Sequence, residues 1–317
     1  MKILHLIKSI VAGLTISIVA QLSFAADIPY LLTAASKGDV ATVKAILDGG
    51  ANVNTKDEND ITALMYAARK DNADVVKVLL EKGATIDAKD KGGWTALMFA
   101  TKKNNVDTVK VLLEKGADPK IRDESGWSAF GMAATSGHAE TVNLMIQHGV
   151  DANAKADDGK TALMYAAKSG DVPTISALMT KGAKANTGDR LGVSPLMYAA
   201  REGHVDAITF MIDQGANTDL QDLSRWTALT WAIKKSHADA AKVLINKGAN
   251  VNHEDSEGTP LLQLAVDNGS AEIVRLLLAN KANIKARDKY GLTAYVYALK
   301  KGDAEIIQLI KDAGGKY

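Results

Sequence analysis

Apolar positions along this 317-residue chain recur every 33 residues. The phrase TALMYAA occupies 62–68 and returns at 161–167, with the near copy SPLMYAA at 194–200. In that register one column is alanine throughout: Ala34, Ala67, Ala100, Ala133, Ala166, Ala199, Ala232, Ala265 and Ala298. Three residues earlier stand Leu31, Leu64, Leu97, Phe130, Leu163, Leu196, Leu229, Leu262 and Tyr295. Twelve residues after the alanines the column runs from Ile46 and Leu79 to Leu277 and Ile310. A fixed period of this length marks a stacked unit smaller than a domain, and the columns count nine of them.

Each unit predicts two short helices and a turn. Thr or Ser at 62, 95, 128, 161, 194, 227 and 293 is placed to cap a helix start, and Pro195 fits a first helical position that needs no N–H. Leu64, Ala67 and Ala68, three and four apart, form one apolar face, and Gly38, Gly137 or Gly170 marks the bend that follows. A second helix carries Val75, Val76, Leu79 and Leu80 and stops at Gly83 and its equivalents, where a left-handed residue ends a helix at little steric cost. Aspartates at 57, 90, 123, 189, 222, 255 and 288, with Gly93 and its equivalents, predict the connecting turn.

The pattern DxxGxTALMxAA followed by VVKVLLEKGA resembles the ankyrin repeat, from Asp27 to Tyr317. The resemblance implies an all-α solenoid of stacked helix-turn-helix units with turn fingers. The expected division is a signal peptide at 1–25, an N-terminal capping repeat at 26–56, seven internal repeats at 57–287 and a C-terminal capping repeat at 288–317. Such a stack is one continuous core with nearest-neighbour interfaces. Several residues depart from the family pattern. Its buried histidine is here Leu32, Met65, Met98, Gly131, Met164, Met197, Thr230, Gln263 or Val296, so apolar contact is expected in place of hydrogen bonds between repeats. Pro260 occupies a capping slot, which suggests that Thr259 caps one residue early; Ala156 lacks the turn aspartate. Lys281 replaces a helix-ending glycine, at roughly 1 kcal/mol if left-handed. Lys311 replaces the leucine of interior units and gives the last repeat a polar outer face.

Residues 1–25 break the register. Lys2 and Lys8 precede an uncharged stretch, and Ser23 and Ala25 are small residues suited to cleavage before Ala26, the plan of a secretory signal peptide. An uncleaved anchor is the alternative, although the run is short for a span of about 20 residues. The chain has no cysteine, hence no disulfide, thiol chemistry or lipid-attachment site, and the bacterial periplasm is the expected compartment.

Composition sharpens the picture once it is sorted by column. The resemblance implies that turn tips and the outer part of the first helix face the partner, on a concave surface. The residue before the alanine column is Tyr66, Phe99, Met132, Tyr165, Tyr198, Trp231, Leu264 or Tyr297; Trp94, Trp127 and Trp226 stand near the turn tips, with Tyr290 nearby. These columns hold ten of the 15 aromatic residues beyond residue 25, and Tyr and Trp are common interface anchors. The alternative is that the first column only closes over the core. The pair ending each first helix is basic at eleven of eighteen places and acidic at two, including Arg69, Lys70, Lys102, Lys103, Lys168, Arg201, Lys234, Lys235, Lys300 and Lys301. Beyond residue 25 the chain carries 36 basic and 37 acidic residues, so positive charge is segregated onto this column. The helix dipole alone accounts for part of that bias, about 0.3–1 kcal/mol per cation; a one-sign surface also steers an oppositely charged partner.

No metalloprotease HExxH, nucleophile elbow, phosphate loop or Cys/His cluster occurs, and no catalytic residue, metal or cofactor is assigned. His138, His204 and His237 share one column, which favours a structural role, and the methionine column is expected in the core rather than on copper. The leading expectation is a monomeric, non-catalytic periplasmic scaffold. It would bind an acidic protein surface, as inhibitor or immunity partner of a cell-envelope enzyme. A binder of an anionic envelope polymer, or an accessory factor in peroxide defence as in some secreted bacterial proteins of similar plan, is the alternative. Nucleic acid fits the basic-aromatic columns but not the compartment.

Overall fold

The computed structural model describes residues 30–316; the leader expected at 1–25 lies outside the described residues. These form eighteen helices in nine consecutive pairs. The first pair is residues 30–37 and Val40–Asp48, the second Ala63–Arg69 and Ala73–Glu81, and the last Ala294–Lys301 and Ala304–Asp312. Two compact units are distinguished, one ending at Ala133 and the other beginning at Ala134.

The local chemistry accounts for each pair. Thr62 Oγ1 accepts from Met65 N at 3.3 Å and Ser194 Oγ from Met197 N at 3.3 Å, which satisfies one of the N–H groups left without a partner at a helix start. The first helix is short, seven or eight residues, because the chain must bend before the second. At that bend Gly170, Gly203 and Gly302 are left-handed, and where glycine is absent Asp71, Asn104 and Ser236 take the same conformation. Val75, Val76 and Leu79 of the second helix lie at 0–1 % exposure against Leu64, Ala67 and Ala68 at the same level, and each fully buried aliphatic side chain contributes about 2 kcal/mol. The second helix ends at Gly83, whose successor Ala84 donates to Leu79 O at 2.9 Å. The turn is a tight loop rather than a sheet: Asp57 N donates to Ile61 O at 3.1 Å, and pairs such as Lys56 with Thr62 and Arg287 with Thr293 form isolated bridges.

Polar ladders join neighbouring repeats within each unit. Asn72 Nδ2 donates to Ala35 O at 2.8 Å and Asn105 Nδ2 to Ala68 O at 2.8 Å in the first unit. In the second, His204 Nε2 meets Lys168 O at 2.9 Å and His237 Nε2 meets Arg201 O at 3.1 Å. These bonds satisfy carbonyls at the C-terminal ends of first helices, so the histidine column is structural at those two positions. Turns are tied directly as well, Lys91 N to Asn59 O at 3.1 Å and Leu223 N to Leu191 O at 2.9 Å.

The departures from the family pattern resolve partly as expected and partly not. The helix after Pro260 does not start early: Pro260 itself is the N-cap, without a side-chain bond, and the helix runs Leu261–Asp267 in register. Proline at φ −67° and ψ 145° already has the extended geometry of a cap, so Thr259 is not needed. The methionines are buried but are not merely apolar. Met65, Met164 and Met197 Sδ each lie 3.3–3.4 Å from the N–H of the capping residue three positions earlier. Gln263 restores a bond between repeats, donating to Asp288 Oδ2 at 3.0 Å. Lys281 is left-handed at φ 65°, and the turn at Ala156 still closes, with Ala156 N donating to Lys160 O at 2.8 Å.

Candidate partner-binding face

The aromatic column is set by the turn that precedes it. The aspartate nine residues before each Tyr or Trp uses one carboxylate oxygen to accept backbone N–H groups of its own turn and the other to hold the aromatic tip. Asp57 Oδ1 accepts from Asn59 and Ile61, and its Oδ2 from Tyr66 OH at 2.8 Å. Asp189 binds Tyr198 OH at 2.6 Å, Asp222 binds Trp231 Nε1 at 3.0 Å and Asp288 binds Tyr297 OH at 2.6 Å. Where Ala156 removes the aspartate, Asp158 stands in at 3.3 Å from Tyr165 OH. Hydrogen bonding to Asp57 raises the Tyr66 phenol above its ordinary range, and the bond to Asp288 lifts Tyr297 to about 12. Burial, then the bond to Asp189, raises Tyr198 further still. Burial opposes ionisation of Asp288, but its bonds from Tyr297, Leu292 N–H, Gln263 and Tyr290 N–H outweigh that and hold it at about 2.

Part of the basic column lies over the aromatic rings. In the first unit Arg69 sits 5.0 Å over the Tyr66 ring, and Lys70, Lys102 and Lys103 are exposed. Trp94 lies 5.2 Å from Phe99, tilted by 51°. Trp127 packs beside Gly131, where a Cβ would come to ordinary contact with Trp127 Cε3 at 3.4 Å. In the second unit one cluster is continuous: Arg201 lies 5.0 Å over Tyr198 and 5.6 Å over Trp231, Trp231 meets Trp226 edge-on at 4.8 Å, and Lys234 approaches Trp226 at 6.0 Å. Lys168 and Lys235 are exposed. Lys300 stands 5.2 Å over Tyr297, whereas Lys301 turns away to the Asp267 carbonyl. Tyr290 stands apart at its turn tip, 70 % exposed, with Lys289 at 5.2 Å.

Two features differ from the reading of the sequence. Trp94, Trp127 and Trp226 are half-buried on the return arm of the turn, not free at its tip, because their N–H groups are bound by Asp90, Asp123 and Asp222. Tyr198 is buried at 4 % exposure. The turn aspartates were missed as members of this face, although the nine-residue spacing from Asp57 to Tyr66, Asp189 to Tyr198, Asp222 to Trp231 and Asp288 to Tyr297 was present as a signal.

A recess of about 340 Å³ lined by Leu32, Thr33, Ser36, Lys37 and Tyr66 opens beside the first-helix column. A larger one, about 610 Å³, lies among second helices and carries both signs of charge, Asp74 and Asp107 with Lys77 and Lys110, so it lacks the segregated charge of the first-helix face. Among the described residues no group of three or more His, Cys, Asp or Glu is placed to hold a metal ion, and no helix is long and apolar enough to cross a membrane.

A family model described as ankyrin repeats (3 copies) matches residues 31–123, 118–189 and 166–255, and a second, ankyrin repeats (many copies), matches 244–298. The chain belongs to the ankyrin-repeat family. Members are generally interaction scaffolds without catalysis, and this ankyrin-repeat protein is accordingly a scaffold for protein partners. No curated protein matches it.

Proposed function

We propose that this ankyrin-repeat protein is a non-catalytic, monomeric scaffold exported to the periplasm, where the first-helix faces of its repeats bind an acidic surface of a partner protein. The observation that carries the reading is the set of exposed lysines at the C-terminal ends of the first helices, beside the aromatic column. On the second helices and their ends Lys77, Lys82 and Lys247 are paired with Asp74, Asp48 and Asp213, and Lys110, without an ion pair among the described residues, stands among Asp74, Asp107 and Glu114, so that face mixes both signs of charge. On the first helices Lys70, Lys102, Lys103, Lys168, Lys234 and Lys235 make no ion pair among the described residues. Within each unit such like charges repel each other, and their field reaches about 10 Å at ordinary salt. An acidic partner relieves that repulsion and is drawn in by it.

The cation–ring stacks favour a protein over an envelope polymer. Sugar recognition needs an open aromatic face, and Tyr66, Tyr198, Trp231 and Tyr297 each have a cation over the ring. The basic start, uncharged stretch and small residues at 23 and 25 and the lack of cysteine support export, and a cell-envelope enzyme occluded by the scaffold is the partner we favour.

The test is site-specific photocrosslinking in intact cells, with the crosslinker at Lys102 or Lys235 and, as control, at Lys110. One periplasmic protein captured from the first-helix positions and not from Lys110, with a mature N-terminus at Ala26, is the expected result. Capture from Lys110 alone would refute the face, and Met1 on the periplasmic form would refute cleavage.

A further inference from the structure

We propose that the turn tips ahead of the helices Pro195–Glu202 and Ala228–Lys234 form the main seat of the partner, and that the seat takes a polypeptide segment in which carboxylates flank a bulky apolar side chain. This rests on the protein-binding reading and narrows it to one place and one chemistry. The two residues after the turn aspartate position are polar or glycine in most units: Glu58 and Asn59, Lys91 and Gly92, Glu124 and Ser125, Asp157 and Asp158, Ser256 and Glu257. Here they include Leu191 and Leu223, which are 63 % and 74 % exposed. The two tips are neighbours, since Leu223 N donates to Leu191 O at 2.9 Å. Isolated exposed leucines are ordinary, but two side by side on adjacent polar turns mark a contact surface.

What surrounds the leucines specifies the occupant. Trp226 follows Leu223 by three residues and meets Trp231 edge-on at 4.8 Å, so a packed aromatic pair adjoins the tip in sequence. Arg190 and Arg225 beside the leucines are exposed, and neither makes an ion pair among the described residues. The nearby carboxylates are already engaged. Asp189 accepts from Leu191 N, Val193 N and Tyr198 OH, and Asp222 from Ser224 N, Trp226 N and Trp231 Nε1. Glu202 is bound to Arg201. The seat therefore offers exposed apolar surface rimmed by guanidinium groups without an ion pair among the described residues, Arg225 Nε donating to Gln221 Oε1 at 3.4 Å. Arginine binds carboxylates in a two-pronged fashion, and an aliphatic or aromatic side chain between two such carboxylates covers the leucines.

The experiment uses the full chain and three labelled peptides, Glu-Glu-Leu-Phe-Glu-Glu, Lys-Lys-Leu-Phe-Lys-Lys and Glu-Glu-Ser-Ser-Glu-Glu, with fluorescence anisotropy as readout. The acidic apolar peptide is expected to bind about tenfold or more tightly than either control. The double variants Leu191→Ser with Leu223→Ser, and Arg190→Glu with Arg225→Glu, are each expected to weaken it about tenfold with unchanged melting. Absence of saturable binding, equal binding of the lysine or serine peptide, or insensitivity to the leucine variant overturns the proposal. So does equal binding to anionic phospholipid vesicles, which would indicate a membrane surface instead. Crosslinking to a partner from Lys102 that survives the leucine variant leaves the scaffold standing and removes this seat, whereas loss of every first-helix crosslink in the unaltered protein removes both.

Discussion

Asp222→Ala should lower stability by about 3 kcal/mol. Asp222 is 9 % exposed, and its two oxygens accept three hydrogen bonds: Ser224 N at 2.8 Å, Trp226 N at 2.9 Å and Trp231 Nε1 at 3.0 Å. A bond to a charged acceptor contributes roughly 1.5–3 kcal/mol when its donor is left dry. The turn lies at the surface, so water can reach part of what the carboxylate vacates, and about 1 kcal/mol per bond is the reasonable figure. Trp231→Phe removes one of these bonds, and in a double-mutant cycle the two changes should show a coupling of about 1 kcal/mol. Urea unfolding followed by circular dichroism is the assay, with the slope compared between variants because repeat arrays can lose two-state behaviour. A loss under about 0.5 kcal/mol for Asp222→Ala, a size typical of neutral surface changes, would refute the claim that the aspartate organises turn and aromatic together. So would a cycle with no coupling.

Lys281→Gly should stabilise the protein by about 1 kcal/mol, since Lys281 holds φ 65° at a helix end; an unchanged urea midpoint would contradict the strain. Gly93→Ala should cost about 2 kcal/mol by the same measurement, because Gly93 is at φ 80° and its Cβ would stand 3.0 Å from Asp123 Cα. Asp288 is held near 2 in the fold against an ordinary 3.8, so its stabilisation is present above pH 4 and is lost as pH falls through 2, by about 2 kcal/mol. Tyr297→Phe removes one bond to that carboxylate and should shrink the acid-dependent loss; identical pH profiles of stability for variant and parent would count against it.

The repeat period, the helix pairs and the left-handed glycines were legible because each follows from a local rule: apolar spacing, a capping hydroxyl, a residue without Cβ. Lys281 was legible for the same reason. The start of the helix after Pro260 was not, because the capping pattern names a hydroxyl while proline meets the geometric requirement without one. The half-burial of Trp94, Trp127 and Trp226 depends on side chains four and five residues away, which column composition does not weigh. The stacking of Arg69 and Arg201 on the rings was hidden for another reason: the two columns were assigned to one surface by composition alone, without pairing residues three apart on a helix, which are neighbours.

The most direct test of the binding face is a comparison of two charge-reversed proteins against the partner captured by crosslinking. One carries Lys102, Lys103, Lys234 and Lys235 changed to Glu, the other Lys44, Lys77, Lys110 and Lys242 on second helices, all eight being exposed. Stopped-flow association over a range of ionic strength is the measurement, with thermal melts as the control for folding. The first protein should associate at least about tenfold more slowly at low salt and approach the parent at high salt, while the second stays within a factor of about two. Equal slowing of both with unchanged melts would contradict the assignment of binding to the first-helix face.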